Sequence, residues 1–249
     1  MKPFLSVVIP AYNEEINLKR GVLNSVNDYL KSKDFSWEVL ILDDGSKDET
    51  AKLVEQFVRS HKNFFLKKEP HRGKGGTIMA GAKAAKGKYV LFTDMDQSTP
   101  MDQFDKFMPK IRSGFDVVIG RRNGRPGQPF VRKIMAYGFV ILRTLILRLP
   151  FEDTQCGFKV YKNEAADKIF LKIQIYGGRS GSKTGSVSAG FDLETLFIAR
   201  KLGLKVADVP VEWYEYGERK EVNPIKDSWE GFRDLIKIRL NALQGKYKV

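Results

Sequence analysis

A chain of 249 residues with 42% hydrophobic content and 17 Phe has the material for a large buried core, which excludes a disordered chain. One cysteine, Cys156, excludes an internal disulfide, and two isolated histidines, His61 and His71, argue against a histidine metal centre or a serine–histidine triad. The formal net charge of +13 points to an anionic partner: nucleic acid, phosphorylated substrate or a membrane surface.

Met1-Lys2-Pro3 leads straight into an apolar strand, Leu5 to Ile9, stopped at Pro10 and followed by Ala11-Tyr12-Asn13-Glu14. Apolar residues at helical spacing predict a helix from Glu14 to Leu30. Trp37 to Leu42 reads as a second strand ending in Asp43-Asp44-Gly45-Ser46, with a helix over Asp48 to Val58. A third strand, Phe64 to Lys67, precedes the turn His71-Arg72-Gly73-Lys74-Gly75-Gly76 and an alanine-rich helix ending at Gly87. That turn reads as a strand-to-helix connection, with Lys74 within reach of a diphosphate, and both histidines are expected at the surface. The fourth strand ends in Asp94-Met95-Asp96; Met101 to Arg112 is helical, and Asp116 to Ile119 is a fifth strand.

Strands alternating with helices predict a mostly parallel α/β sheet with helices on both faces, whose ligand sits beyond the carboxyl ends of the strands. The Tyr12/Glu14, Asp43/Asp44, Asp94/Asp96 and Arg121/Arg122 clusters all fall at such ends. In extended chain Asp94 and Asp96 face the same way, a pattern suited to Mg²⁺ or Mn²⁺ completed by substrate phosphates. The usual dinucleotide and P-loop glycine spacings are absent.

Pro10-Ala11-Tyr12-Asn13-Glu14, Asp43-Asp44-Gly45-Ser46-Lys47-Asp48-Glu49-Thr50 and Asp94-Met95-Asp96 together resemble the family-2 glycosyltransferases of the Rossmann-like GT-A fold. Asp153-Thr154-Gln155-Cys156-Gly157-Phe158-Lys159, Ala189-Gly190-Phe191-Asp192-Leu193-Glu194 and Val209-Pro210-Val211-Glu212-Trp213 are similar to the dolichyl-phosphate glucosyltransferase and mannose-synthase branch. The resemblance runs from about Leu5 to about Leu243. It implies a single GT-A domain over residues 1–249, with a nucleotide-sugar half (1–120) and an acceptor and membrane-facing half (121–249). It places the nucleotide sugar against Pro10, Ala11, Tyr12, Glu14, Leu42, Asp43, Asp44, Asp94 and Met95, the last through its main chain. Asp94 and Asp96 would hold Mg²⁺ or Mn²⁺; Asp96, Asp153 and Arg122 would serve catalysis; Arg122, Arg219 and Lys220 would bind an acceptor phosphate. Met95 departs from the small residue many relatives carry between the two aspartates.

The basic segment between Arg121 and Phe151 holds Arg121, Arg122, Arg125, Arg132, Lys133, Arg143 and Arg148 and no acidic residue. On a helical wheel Arg132, Lys133 and Arg143 oppose an apolar arc, which suits either an anionic membrane surface or the domain's own core. Residues 176–188, rich in Gly and Ser, read as a flexible loop, and a last amphipathic helix follows Pro224. No run of ~18 apolar residues suggests a membrane span, so the expected location is cytoplasmic, peripheral on the cytoplasmic face of a membrane.

The reading is an inverting, metal-dependent transfer of a sugar, glucose from UDP-glucose, to a polyprenyl (dolichyl) phosphate. A phosphate monoester is already anionic near neutral pH and needs cations rather than a general base. The alternatives are mannose from GDP-mannose, a hydroxyl acceptor with Asp192 or Glu194 as base, an inactive sugar-nucleotide sensor, and a nucleic-acid-binding module. The last is disfavoured, because the basic segment is apolar-amphipathic and the acidic rim repels phosphodiesters.

Overall fold

The computed structural model describes residues 2–122, 130–175, 189–216 and 224–248. The chain runs β1 (Leu5–Ala11), α1 (Glu15–Lys19), α2 (Val22–Lys31), β2 (Trp37–Asp43), α3 (Thr50–Ser60), β3 (Phe64–Lys68), α4 (Gly73–Ala84) and β4 (Tyr89–Phe92). A 3₁₀ helix (Met101–Phe107) leads into α5 (Met108–Arg112) and β5 (Val117–Arg122). Then come α6 (Phe130–Leu147), β6 (Lys159–Lys162), α7 (Asn163–Phe170), α8 (Ala189–Lys201), β7 (Val206–Val211) and α9 (Pro224–Leu243).

The strands form a seven-stranded sheet in the order β3-β2-β1-β4-β6-β5-β7. All run parallel except β6, which pairs antiparallel with both β4 and β5. Because β6 is reversed, β5 points the same way as β4, so the carboxyl ends of β1, β2, β4 and β5 share one rim. The reversal also brings the start of β6, and the 153–158 stretch before it, to that rim.

Period-two alternation splits each central strand between two cores. Leu5, Val7 and Ile9 of β1 face α2, α3 and the 3₁₀ helix, whereas Val8 joins Leu40 and Leu42 against α4. The second core also takes α7, α8 and the buried Leu235 and Ile238 of α9. Helices on both faces are therefore observed.

Two local expectations are corrected. The helix expected over Glu14–Leu30 is two helices, because Gly21 adopts φ +85 and ends the first run. Arg143, expected on the exposed basic side of α6, is 2% exposed. Its guanidinium donates to Thr154 Oγ1 at 3.1 Å and to the carbonyl of Phe151, so it ties α6 to the 151–154 turn. The side chains of Arg132 and Lys133, and the whole of residues 176–188, lie outside the described residues.

Candidate active site

The loop after β1 and the loop after β2 form one hydrogen-bonded unit. Asn13, at φ 56, donates its N–H to Ser46 Oγ at 3.0 Å and accepts the Lys47 N–H on Oδ1 at 2.8 Å. The N–H groups of Glu14 and Glu15 donate to Thr50 Oγ1 at 2.7 Å and Asp48 Oδ2 at 3.2 Å. Ser46, Asp48 and Thr50 thus satisfy main-chain donors that open the first helix.

Both adjacent aspartates are buried. Asp43 accepts the Ser46 N–H at 3.2 Å. Asp44 accepts the Arg72 and Gly73 N–H groups at 2.7 and 2.9 Å, one on each oxygen, at the start of α4. His71 Nδ1 lies 2.9 Å from Asp44 Oδ2, and its ring stacks on Tyr12 with centroids 4.4 Å apart. His71 is exposed, as expected, and is also part of the rim. His61 likewise stacks on Phe57, with centroids 3.8 Å apart. The side chains of Leu42 and Met95 lie in the core, which leaves only their main chain to meet a ligand.

Beyond β4, Asp94 forms an ion pair with Lys74, and Gly157 packs its bare Cα against the Asp94 carboxylate, where a Cβ would not fit. Burial alone would raise the Asp94 carboxyl, but Lys74, then Lys159 and Arg122, outweigh it and hold the group below its usual value. Glu14 behaves oppositely. Burial raises it, and Asp96 and Asp94 add to the shift against the hydrogen bond from Asn17.

Asp96 accepts the Ser98 N–H on Oδ1 at 2.8 Å, and among the described residues its Oδ2 has no hydrogen-bond partner. Among those residues no cluster of three His, Cys, Asp or Glu side chains could hold a metal alone. The donor set fits a hard divalent ion that draws its other ligands from phosphate oxygens and water, the habit of Mg²⁺. Asp96, with Asp94 beside it, would hold such an ion.

Arg122, at the end of β5, makes a bidentate pair with Asp153, Nε to Oδ2 at 2.6 Å and Nη2 to Oδ1 at 2.9 Å. Each would be disfavoured in its charged form by burial; pairing reverses this, raising Arg122 and lowering Asp153. The guanidinium lies 5.9 Å from the ring centroid of Trp213. Asp94, Asp96, Arg122, Gln155, Trp213 and Tyr216 line one cleft of about 590 Å³, counting space open to solvent. Arg219 and Lys220 lie outside the described residues.

Residues 6–170 match the family described as Glycosyl transferase family 2. The chain belongs to that family. A dolichyl-phosphate beta-glucosyltransferase from Dictyostelium discoideum is 34% identical over 99% of this family-2 chain and 77% of its own length. The enzyme of that description from Homo sapiens is 28% identical over 98% and 78%. A glucosyl-3-phosphoglycerate synthase from Mycobacterium tuberculosis, solved with Mn²⁺, UDP-glucose and phosphoglyceric acid, superposes with a TM-score of 0.65. It covers 95% of this chain and 80% of its own at 19% identity, a likeness of fold.

Sequence reasoning assigned no role to Lys159, which closes the Asp-Thr-Gln-Cys-Gly-Phe-Lys motif. It is 3% exposed and donates to Asp192 Oδ1 at 2.7 Å and to the Cys156 carbonyl at 2.5 Å. Asp192, one of the two candidate bases, is thereby ion-paired. The other, Glu194, is corrected to a structural carboxylate. It is fully buried and accepts the Gln174 N–H at 2.8 Å, the Ile175 N–H at 3.2 Å and the Tyr247 hydroxyl at 2.5 Å. Burial raises its carboxyl above the usual value. Glu194→Ala is expected to strand those donors and destabilise the fold by about 2–4 kcal/mol, read by urea unfolding. Unchanged stability with lost turnover would instead mark it as a catalytic base.

Proposed function

We propose that this family-2 glycosyltransferase moves glucose from UDP-glucose, with inversion, to a dolichyl-type polyprenyl phosphate. The observation that carries the reading is Arg122, backed by its pair with Asp153 and lining the same cleft as Asp94 and Asp96, in a chain related to curated dolichyl-phosphate beta-glucosyltransferases. Bound Mg²⁺ or Mn²⁺ would neutralise charge growing on the departing nucleoside diphosphate.

The residues then divide the work. Tyr12 with His71 forms an aromatic wall for the base, and main-chain groups at Pro10, Ala11, Leu42 and Met95 border the nucleotide. Glu14 and Asp43 lie alongside, while Asp44 shapes the pocket by holding the 71–73 turn. Arg122 receives the acceptor phosphate, and Asp153 aims it; Arg219 and Lys220 would add cations. A phosphate nucleophile needs no proton removed, which accords with the engagement of Asp94, Asp153 and Asp192 by Lys74, Arg122 and Lys159.

Turnover of UDP-glucose against GDP-mannose, each with a short-chain polyprenyl phosphate and Mn²⁺, tests this. Selective transfer from UDP-glucose is expected. Transfer from GDP-mannose alone, or to a hydroxyl acceptor in place of the phosphate, would overturn it.

The same reading places the enzyme on an anionic membrane surface. Among the described residues no helix is long and apolar enough to cross a membrane. Tyr137, Ile141 and Leu145 of α6 and Trp229, Leu240 and Leu243 of α9 are exposed, on two helices that pack together. Exposed Lys237 and Arg239 flank the α9 stripe. Cosedimentation with anionic liposomes is expected to weaken with salt, and about tenfold or more in Lys237→Glu/Arg239→Glu, at roughly 1 kcal/mol per basic residue. No pelleting at low salt would remove the membrane from the account.

A further inference from the structure

The loop that carries Asp96 is held from outside its own strand. Arg20 caps the carboxyl end of α1, and its Nη2 donates to the main-chain carbonyl of Asp96 at 2.6 Å. The same guanidinium lies 4.3 Å from the ring centroid of Tyr216, on the segment that follows β7. Among the described residues Arg20 makes no ion pair, so a carbonyl and a ring are its partners there. The Tyr214 N–H donates to the Ser98 carbonyl at 2.8 Å, so the 212–216 segment also grips the loop two residues beyond Asp96.

The loop needs such support. Gln97 adopts φ 51, a left-handed conformation a non-glycine residue holds only when its surroundings impose it. Gln97 Nε2 donates to the Asp94 carbonyl at 2.8 Å, and Asp96 Oδ1 is tied to the Ser98 N–H. Arg20 on the Asp96 carbonyl and the Ser98 N–H on Oδ1 together restrain both ends of the residue.

We propose that Arg20, clasped by Tyr216, is a positioning residue that aims the Asp96 carboxylate at a metal–nucleoside diphosphate. This rests on the donor reading above. The clasp joins three separate parts of the chain, the end of α1, the β4 loop and the segment after β7, so either partner's loss releases the same carbonyl.

The test compares Arg20→Ala, Tyr216→Ala, the double variant and Tyr216→Phe. Amide hydrogen exchange over residues 93–99 in metal-free protein reads the clasp directly, and calorimetry with UDP, with and without Mn²⁺, reads its consequence. Both single alanine variants are expected to speed exchange at 93–99 and to weaken Mn²⁺-dependent UDP affinity about tenfold, and Arg20→Ala, outside the cleft lining, to leave metal-free UDP affinity unchanged. The double variant should be no worse than the weaker single one, and Tyr216→Phe should match the parent. Unchanged exchange or an equal loss without metal in Arg20→Ala, or additive losses, would overturn the proposal. Absence of any metal-dependent UDP binding in the parent would fail the donor reading, and the exchange data would still decide the clasp.

Discussion

Asp96→Ala is expected to lower kcat/KM for glucose transfer by about 10³-fold and to abolish the Mn²⁺ dependence of UDP binding. The reason is geometric. Asp96 has one oxygen spent on the Ser98 N–H and one without a partner among the described residues, whereas Asp94 is already paired with Lys74 and crowded by Gly157. Asp94 is therefore poorly placed to take over. Asp96→Asn is the informative companion, since its amide oxygen still accepts from Ser98 and preserves the turn while removing the charge. It should fold as the parent does and lose metal coupling as the alanine variant does. Equal UDP affinity in chelator and in Mn²⁺ for the parent, or metal coupling retained in Asp96→Asn, would defeat the assignment.

The strands that build the nucleotide side of the sheet were legible because β1, β2 and β4 are apolar runs ended by polar clusters. The four clusters do share one rim. Strand β6 was not legible: Lys159–Lys162 is four residues long with lysine at both ends, and its burial comes from lying between β4 and β5. A one-dimensional pattern carries no trace of that neighbour. The split at Gly21 was missed because the helical periodicity on either side of it is nearly in phase.

The carboxylates show the same limit more sharply. Sequence marks Asp44 for the nucleotide and Glu194 as a candidate base. In the fold each Asp44 oxygen also accepts a main-chain amide, and Glu194 is occupied by main-chain amides and a tyrosine hydroxyl. Whether an aspartate meets substrate or caps a helix depends on which backbone arrives beside it. Arg143 failed for a related reason: the helical wheel gives its azimuth but not the 151–154 turn that folds over it.

Arg122→Ala should separate two losses that a single measurement would confuse. Transfer to polyprenyl phosphate is expected to fall by about 10²–10³-fold, the scale for one charge-assisted donor aimed at the reacting group. Metal-dependent UDP affinity should stay within about threefold. Stability should also fall, because Arg122 and Asp153 are each 13% exposed in their side chains and Asp153 would be left buried without its cation. Breaking such a pair costs roughly 3–5 kcal/mol. Pairing with Arg122 depresses Asp153 below its usual 3.8 despite burial, so the pair's contribution is full above that pH and lost as pH falls through the depressed value. The stability gap between parent and variant should accordingly narrow in strong acid. Arg122→Ala/Asp153→Ala removes the stranded charge and should regain much of the stability with none of the turnover. Glu215 lines the cleft and is exposed, and Glu215→Gln should leave transfer to the phosphate within about threefold, since that acceptor needs no general base. If the double variant recovered activity along with stability, Arg122 would be a structural residue. If Glu215→Gln abolished transfer while Arg122→Ala spared it, the acceptor would be a hydroxyl, because a phosphate already carries its charge and has no proton for a base to remove.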